Sequence, residues 1–315
     1  MKSVLVTCPP MLGMIDEFYA PAKAQGIALH AAQVTQIMSV EELIATVPGY
    51  DGWIIGDDPA TAEVFEAATK GQLRAAVKWG VGVDNVDFAA CKRLGLPIIN
   101  TPGVFGREVA DLAMQYVTAL ARESYTIDRG VRTGSWPKPR GHSLWSRRAA
   151  VVGYGDIGRN TVKRLLAHDV TITVVDPFCD PATLPEGVRL ASWPAAAEGQ
   201  DYLVFTAPLT PDTQHMFSEV VLPHLKPGVR VVNVGRGPVI SEAALVAGLK
   251  ADIVHSAALD VFEVEPLPTD SPLRAYQDRL ICGSHNGSNT EDAVRNVSLK
   301  AIGLIAGFFA DATRQ

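Results

Sequence analysis

Four short segments of the chain carry side chains able to do chemistry, and each follows an apolar run that reads as a β-strand. Trp79-Gly-Val-Gly-Val-Asp84 offers glycines that let backbone N–H groups approach an anion. Val232-Asn-Val-Gly-Arg236-Gly237 puts an arginine at a strand end. Ala258-Leu-Asp260-Val-Phe-Glu-Val-Glu265-Pro266 adds carboxylates, and Ser284-His285-Asn-Gly287 a histidine. Singly, each has an ordinary explanation. A strand-end arginine is usually a solvated charge, a single histidine usually a hydrogen-bonded structural residue, and Glu265 before Pro266 suits a turn. Their coincidence points elsewhere. Hydride transfer to a carbonyl needs an arginine to hold a carboxylate, a histidine to pass a proton and an acid beside it.

A fifth segment carries the signature of a hydride carrier's site. The apolar strand Ala149–Val152 runs into Gly153-x-Gly155-x-x-Gly158. Helical spacing follows at Val162, Leu165 and Leu166, then a second apolar strand, Val170–Val175, which stops at Asp176. Glycines at this spacing also occur in ordinary tight turns. With strand, helix, strand and terminal acid in sequence they read as a dinucleotide site, where they make a tight turn, admit pyrophosphate to the backbone and let helix pack on strand. The helix N-terminus adds N–H groups and partial positive charge for the phosphates. Asp176 lies 18 residues beyond Gly158, near the ~20-residue interval at which an acid meets the ribose hydroxyls. Its charge repels a 2′-phosphate, and Pro177 and Phe178 bring no arginine to neutralise one, so NAD is expected over NADP. The bland alternative is a strand-end acid facing water.

Strands must place these segments, and strand-like runs alternate with helical stretches along the whole chain, the pattern of an α/β protein with parallel sheets. Before the glycine motif, strands are expected near Ser3–Thr7, Ile27–His30, Gly52–Gly56, Ala75–Trp79 and Pro97–Asn100. After it they are expected near Tyr202–Thr206, Val229–Asn233, Ile253–Ala257 and Arg279–Cys282. In open α/β sheets ligands gather beyond the carboxyl ends of the strands, which is where the segments above fall. A chain of 315 residues is long for one core, so two domains are expected. Residues 103–133 join them, with Val109–Arg122 as a long apolar helical stretch. The irregular Gly130–Arg148 carries Trp136 and Trp145. A connection this bulky is no loose tether, and residues 103–148 are expected to form the surface of a homodimer. Asp292–Ala310 is helical in period and would cross back to the first domain.

Composition sets the outer bounds. The chain is 47% hydrophobic and 20% charged, as ordinary globular proteins are. A net charge of −6 argues against a nucleic-acid surface. Cys8, Cys91, Cys179 and Cys282 show no metal-ligand spacing, and buried thiols in a reducing compartment are expected, with no metal. The start, MKSVLVTCPP, reads as a strand and a turn rather than a signal peptide. Ala301–Ala310, the most apolar segment of the tail, is too short to span a bilayer. A cytoplasmic location without membrane contact is the expectation.

The chain resembles the D-isomer-specific 2-hydroxyacid dehydrogenase family, which includes phosphoglycerate dehydrogenase and the hydroxypyruvate and glyoxylate reductases. The likeness runs from Trp79 to about Thr290 in GVGVDNVD, INTPG…VAD, GYGDIG, APLTPDT, KPGVRVVNVGRGPVI, ALDVFEVEPLP and SHNGSNT. Before residue 70 it rests on strand order only. The resemblance implies two doubly wound parallel-sheet domains. A Rossmann-type NAD domain (residues 102–287) would be inserted into a flavodoxin-like substrate domain (residues 1–101, completed by a C-terminal helix in 288–315). It also implies roles. Arg236 would hold the substrate carboxylate and polarise the carbonyl, helped by the N–H groups of Val81 and Gly82. His285 would give its proton to the carbonyl oxygen as hydride arrives, and take it back in oxidation. Glu265 would pair with His285 and favour the imidazolium, since an unperturbed histidine, with a pKa of about 6.5, is mostly neutral at cytoplasmic pH. Asp260 and the Val234 carbonyl would bind the nicotinamide amide. Backbone at Asp156 and Ile157 would cap the pyrophosphate, and Pro208, Thr213 and Gly287 would border the cofactor.

Two positions depart from the family pattern. Asp156 stands where a basic or neutral residue is usual, and its charge costs cofactor affinity unless it points away. Gly283-Ser284 replaces the usual Thr-Pro before His285, which bears on the rigidity of that loop. The implied reaction is reversible NAD-linked reduction of a small 2-oxo acid to the D-2-hydroxy acid. Lys78, Arg107, Lys138 and Arg140 are candidates to read a substrate phosphate but are expected to be surface charges. The length leaves no room for an appended regulatory domain, so feedback by serine through one is not expected. Among rivals, a formate-type dehydrogenase is disfavoured because it resembles Gln where this chain has Glu265. Phosphite oxidation shares the Arg/Glu/His set. NAD(H)-sensing corepressors share the fold and the triad, although this chain shows no obvious disordered recruitment tails.

Overall fold

The computed structural model describes residues 1–312; residues 313–315, the end of the expected C-terminal segment, lie outside the described residues. The chain divides into two compact units, Met1–Phe105 with the segment from Asn289 onward, and Gly106–Ser288. Both crossings fall slightly later in the chain than the expected boundaries.

The first unit is built on five parallel strands: β1 (Lys2–Val6), β2 (Ile27–Ala31), β3 (Gly52–Ile55), β4 (Ala75–Lys78) and β5 (Ile98–Asn100). Their order is β2-β1-β3-β4-β5, the flavodoxin-like doubly wound arrangement. Strands β3 and β4 are buried along their whole length, as expected when helices cover both faces of a parallel sheet. The connections hold α1 (Pro9–Leu12), α2 (Asp16–Ala24), α3 (Val40–Thr46), α4 (Ala62–Lys70) and α5 (Phe88–Leu94). The C-terminal helix, Glu291–Ala312, packs on β4, α1 and α2. The apolar tail read as a short segment is therefore part of a 22-residue helix, and by length and composition alone Glu291–Asp311 would suffice to cross a membrane. Within the unit its Val294, Val297, Ala301, Ile302 and Ile305 are buried, and Ser298 Oγ accepts a hydrogen bond from Trp79 Nε1 at 3.1 Å. Each buried Val or Ile contributes roughly 1.5–3 kcal/mol, which holds the helix to the sheet.

Seven parallel strands form the second unit: β6 (Arg148–Val152), β7 (Thr171–Val175), β8 (Arg189–Leu190), β9 (Tyr202–Phe205), β10 (Val229–Asn233), β11 (Val254–Leu259) and β12 (Leu280–Cys282). Their order, β12-β11-β10-β9-β6-β7-β8, is the Rossmann order extended by one strand, and it reverses between β6 and β9. Helices α6 (Gly106–Arg122), α7 (Ser124–Arg132), α8 (Asp156–Leu166) and α9 (Glu242–Lys250) complete the unit.

Several expectations need correction here. The apolar face of α6 lies inside the unit, where it packs on α8, β10 and β11, with Val109, Ala113, Tyr116, Val117 and Leu120 buried. It is core, not open surface. Trp136 and Trp145 do stand outward, 76% and 65% exposed. Cys8 and Cys91 are buried, but Cys179 is half-buried and Cys282 exposed. Strand β8 and helix α7 were not foreseen. The first is two exposed edge residues, and the second buries no residue and is tied down through Arg129, which donates to Asp278 at 2.6 Å.

Candidate active site

The glycine motif sits where the strand order reverses. After β6 the chain turns at Gly153 with φ 93°. A Cβ there would stand 2.8 Å from the Ala207 backbone just past β9, so no larger residue fits. Thr206 Oγ1 fastens the turn by donating to the carbonyls of Val152 at 3.1 Å and Gly153 at 2.9 Å. Gly158 packs directly against the Gly153 carbonyl. Gly155 is different: it caps α8, and nothing lies within 4 Å of where its Cβ would be. Crowded glycines thus build the turn, and an open one faces the space before the helix N-terminus. That is a cradle for a pyrophosphate.

Asp176 closes one side of this loop. Its Oδ2 accepts from the Tyr154 N–H at 2.7 Å and its Oδ1 from Phe178 N–H at 2.8 Å, which fixes the carboxylate at the end of β7. Asp156, at the first position of α8, turns its carboxylate against Gly106, the first residue of α6, and fills the space a side chain there would take. The positive end of α6 meets that charge, and Asn160 Nδ2 donates to it at 3.2 Å. The concern about Asp156 is met by this orientation. Thr213 Oγ1 donates to the Pro208 carbonyl at 2.7 Å and so ties the loop after β9.

The acid–base groups follow the next three strands. Beyond β10, Asn233 braces the arginine loop by donating to the Arg236 carbonyl and accepting from the Gly235 N–H, both at 3.0 Å. Val234, just before them, is buried, with its N–H on the Phe205 carbonyl. Arg236 is half-buried, and its Nη1 donates to the Gly235 carbonyl at 3.0 Å. Beyond β11, Glu265 Oε1 accepts from the Phe262 N–H at 2.9 Å, while Oε2 lies 2.8 Å from His285 Nδ1. With Nδ1 on the carboxylate, Nε2 is the ring nitrogen suited to exchange a proton with a ligand. His285, beyond β12, has φ 55°, a left-handed conformation that costs a non-glycine residue roughly 1–2 kcal/mol. Asp260, 2% exposed, holds it there. The Asp260 carbonyl accepts from His285 N–H at 2.7 Å, and the carboxylate accepts from Asn286 N–H at 3.0 Å and Gly287 N–H at 2.9 Å.

Val81 and Gly82 belong to the first unit, in the turn after β4. Thr101 and Asn100 engage the carbonyls of Gly80 and Val81, at 3.1 Å and 3.0 Å. Lys78 is not the surface charge expected. It is 2% exposed, donating to the Gly56 carbonyl at 2.6 Å and pairing with Asp57 at 3.0 Å. Arg107, Lys138 and Arg140 are exposed. Sequence reasoning missed Thr206 and also Tyr116, whose hydroxyl reaches from α6 to the space beside Gly283 that the Asp260 carboxylate also borders. Among the described residues no cluster of His, Cys, Asp and Glu is arranged to hold a metal. A cavity of about 330 Å³, lined in part by Arg122, His142, Trp145 and His168, opens away from these strand ends and contains none of the residues above.

Residues 114–287 match the sequence model described as D-isomer specific 2-hydroxyacid dehydrogenase, NAD binding domain. The chain belongs to this family. Its cofactor is NAD, and the open cradle at Gly155 with Asp176 beside it fits that group. A hydroxypyruvate reductase of Thermotoga maritima is 32% identical over 267 residues, covering 83% of this chain and 86% of the relative. A chloroplastic D-3-phosphoglycerate dehydrogenase of Arabidopsis thaliana is 34% identical over 275 residues, 86% of this chain but 44% of the relative. The chain thus spans about half the length of the phosphoglycerate dehydrogenases it matches. Among solved structures, a Thermus thermophilus protein superposes with a TM-score of 0.86 at 27% identity, covering 98% of this chain and 97% of that one.

Proposed function

We propose that this family member interconverts a small 2-oxo acid and its D-2-hydroxy acid. The observation that carries the reading is the 2.8 Å pair between His285 and Glu265, in the same unit and on the same strand-end edge as Arg236. Bound NAD(H) supplies or accepts the hydride. The guanidinium of Arg236 holds the substrate carboxylate through two parallel N–H bonds and polarises the adjacent carbonyl. His285 hands the proton on Nε2 to the carbonyl oxygen in reduction and recovers it in oxidation, while Glu265 stabilises the positive ring. The N–H groups of Asp156 and Ile157 serve the pyrophosphate, Asp176 the ribose, and the Val234 carbonyl and Asp260 the nicotinamide amide; Pro208, Thr213 and Gly287 line its path. Val81 and Gly82 are proposed donors to the substrate carboxylate. We also assign the exposed Trp136 and Trp145 to a homodimer surface; sedimentation as a stable monomer at micromolar concentration would remove that assignment.

The test is turnover of NADH with a panel of 2-oxo acids, including glyoxylate, pyruvate, hydroxypyruvate and its phosphate, with chiral analysis of the product. Turnover to a D-2-hydroxy acid is expected with at least one. NADH binding without turnover of any would replace the enzyme with a nucleotide sensor.

A further inference from the structure

Glu242 and Glu263 each accept a hydrogen bond from the other's backbone. The Glu263 N–H donates to Glu242 Oε1 at 2.9 Å, and the Glu242 N–H, the first of α9, donates to Glu263 Oε1 at 3.2 Å. The second bond satisfies an N–H that the helix leaves open at its positive end. Two carboxylates held this close repel, and burial, then the Glu263 charge, push the Glu242 carboxyl up. His215 Nε2 lies 2.8 Å from the same Glu263 oxygen and offsets part of that repulsion when protonated. His215 belongs to the loop after β9, and its N–H donates to the Pro238 carbonyl at 2.8 Å. Gly237, between Arg236 and that proline, has no room for a side chain. A Cβ there would overlap the Phe262 carbonyl and crowd the Glu263 nitrogen at 2.6 Å. The loops after β9, β10 and β11 therefore meet at the Phe262–Glu263 peptide. The N–H of the same Phe262 fixes Glu265 Oε1.

We propose that Glu263 is a positioning residue for the acid–base pair: with Glu242 it clamps the Phe262–Glu263 peptide onto Gly237, so that Glu265 and Arg236 are held at one fixed separation. The roles of Arg236 and Glu265 are those of the reading above, on which the inference rests. Two acids two residues apart thus divide the work. Glu265 serves the imidazole, and Glu263 holds the backbone that aims it. The clamp acts through its oxygen acceptors, so the charge of Glu263 is secondary to the bond it receives.

In Glu263→Ala, exchange of the Phe262 amide hydrogen should quicken by roughly tenfold or more, because the peptide beside it has lost an anchor. Amides of β6 and β7 should keep their protection. The His285 imidazole, followed by NMR and assigned by its loss in His285→Gln, should release its proton at lower pH than in the unmodified protein, because Glu265 is no longer held against it. Neither measurement depends on turnover. With a 2-oxo acid as substrate, kcat should fall by about 10- to 10²-fold, the scale of a misplacement of about 1 Å, with NADH affinity little altered. Glu263→Gln keeps an oxygen to accept the Glu242 N–H and should recover most of each loss. Unchanged Phe262 exchange or an unchanged His285 titration in Glu263→Ala overturns the proposal. So does Glu263→Gln behaving as Glu263→Ala, which would make the charge the operative feature. A uniform loss of protection across the unit also overturns it, since Glu263 would then serve the fold only. Should Glu263→Ala fail to fold, Glu242→Ala removes the reciprocal bond and carries the same expectations. The local effects without turnover of any 2-oxo acid by the unmodified protein would refute the dehydrogenase reading and leave the clamp standing.

Discussion

Glu265 divides its carboxylate between two partners, Oε2 on His285 Nδ1 at 2.8 Å and Oε1 on the Phe262 N–H at 2.9 Å. The backbone bond fixes the rotamer, so the imidazole meets a carboxylate already in place. Glu265→Gln keeps that shape and loses the charge. The alkaline limb of the pH profile for reduction should then move to lower pH, because the proton is held less firmly on the ring. His285→Ala should lower kcat by roughly 10²–10⁴ throughout. A profile for Glu265→Gln superimposable on that of the unmodified protein would contradict the pairing.

Arg236 separates substrate binding from cofactor binding. Arg236→Lys keeps a positive charge and loses the two-pronged geometry, so it should retain activity with a raised KM for the 2-oxo acid. Arg236→Ala should lose far more. NADH affinity, read by fluorescence titration, should change little in either, since ribose and pyrophosphate are assigned to Asp176 and the α8 N-terminus. Loss of NADH binding in folded Arg236→Ala would move the arginine into the cofactor site.

Asp176 is expected to exclude a 2′-phosphate by its charge and fixed position on the Tyr154 and Phe178 N–H groups. The unmodified protein should prefer NADH to NADPH strongly in kcat/KM. Asp176→Ala combined with Phe178→Arg should narrow the ratio. Equal kcat/KM for the two cofactors before any substitution would sink the assignment.

His142 gives stability a pH dependence of its own. Burial, and then the charges of Arg230 and Arg147, push its imidazole down from 6.5 to about 4, with Nε2 2.6 Å from the Tyr202 hydroxyl. The native ring takes a proton less readily than the unfolded one, so its contribution is complete above pH 6.5 and is lost as pH falls toward 4. Partial exposure of the ring moderates the size of the effect. The urea midpoint of the unmodified protein should therefore drop more steeply across that window than the midpoint of His142→Gln. Parallel curves would rule it out.

Strands were readable because parallel strands buried on both faces are unbroken apolar runs, and Gly153–Gly158 was readable because turn, helix and acid follow one another locally. Other features have no local trace. Lys78 looks like any surface lysine until Gly56 and Asp57 are brought to it from an earlier strand end. Tyr116 is one more large residue on an apolar helix until Asp260 arrives from β11. The apolar stripe of α6 suited an interface as well as a core, and periodicity cannot separate the two. Strand β8 had no apolar run to show.

Helix α6 touches both halves of the chemistry: its first residue receives the Asp156 charge at the head of α8, and Tyr116 reaches the loop of His285. Such an arrangement shapes how a lineage can vary. A larger residue at 283 would meet the Asp260 carboxylate as well as the Tyr116 hydroxyl, so growth there needs two neighbours to give way. Descendants would tend to keep the glycine while other residues of the loop drift.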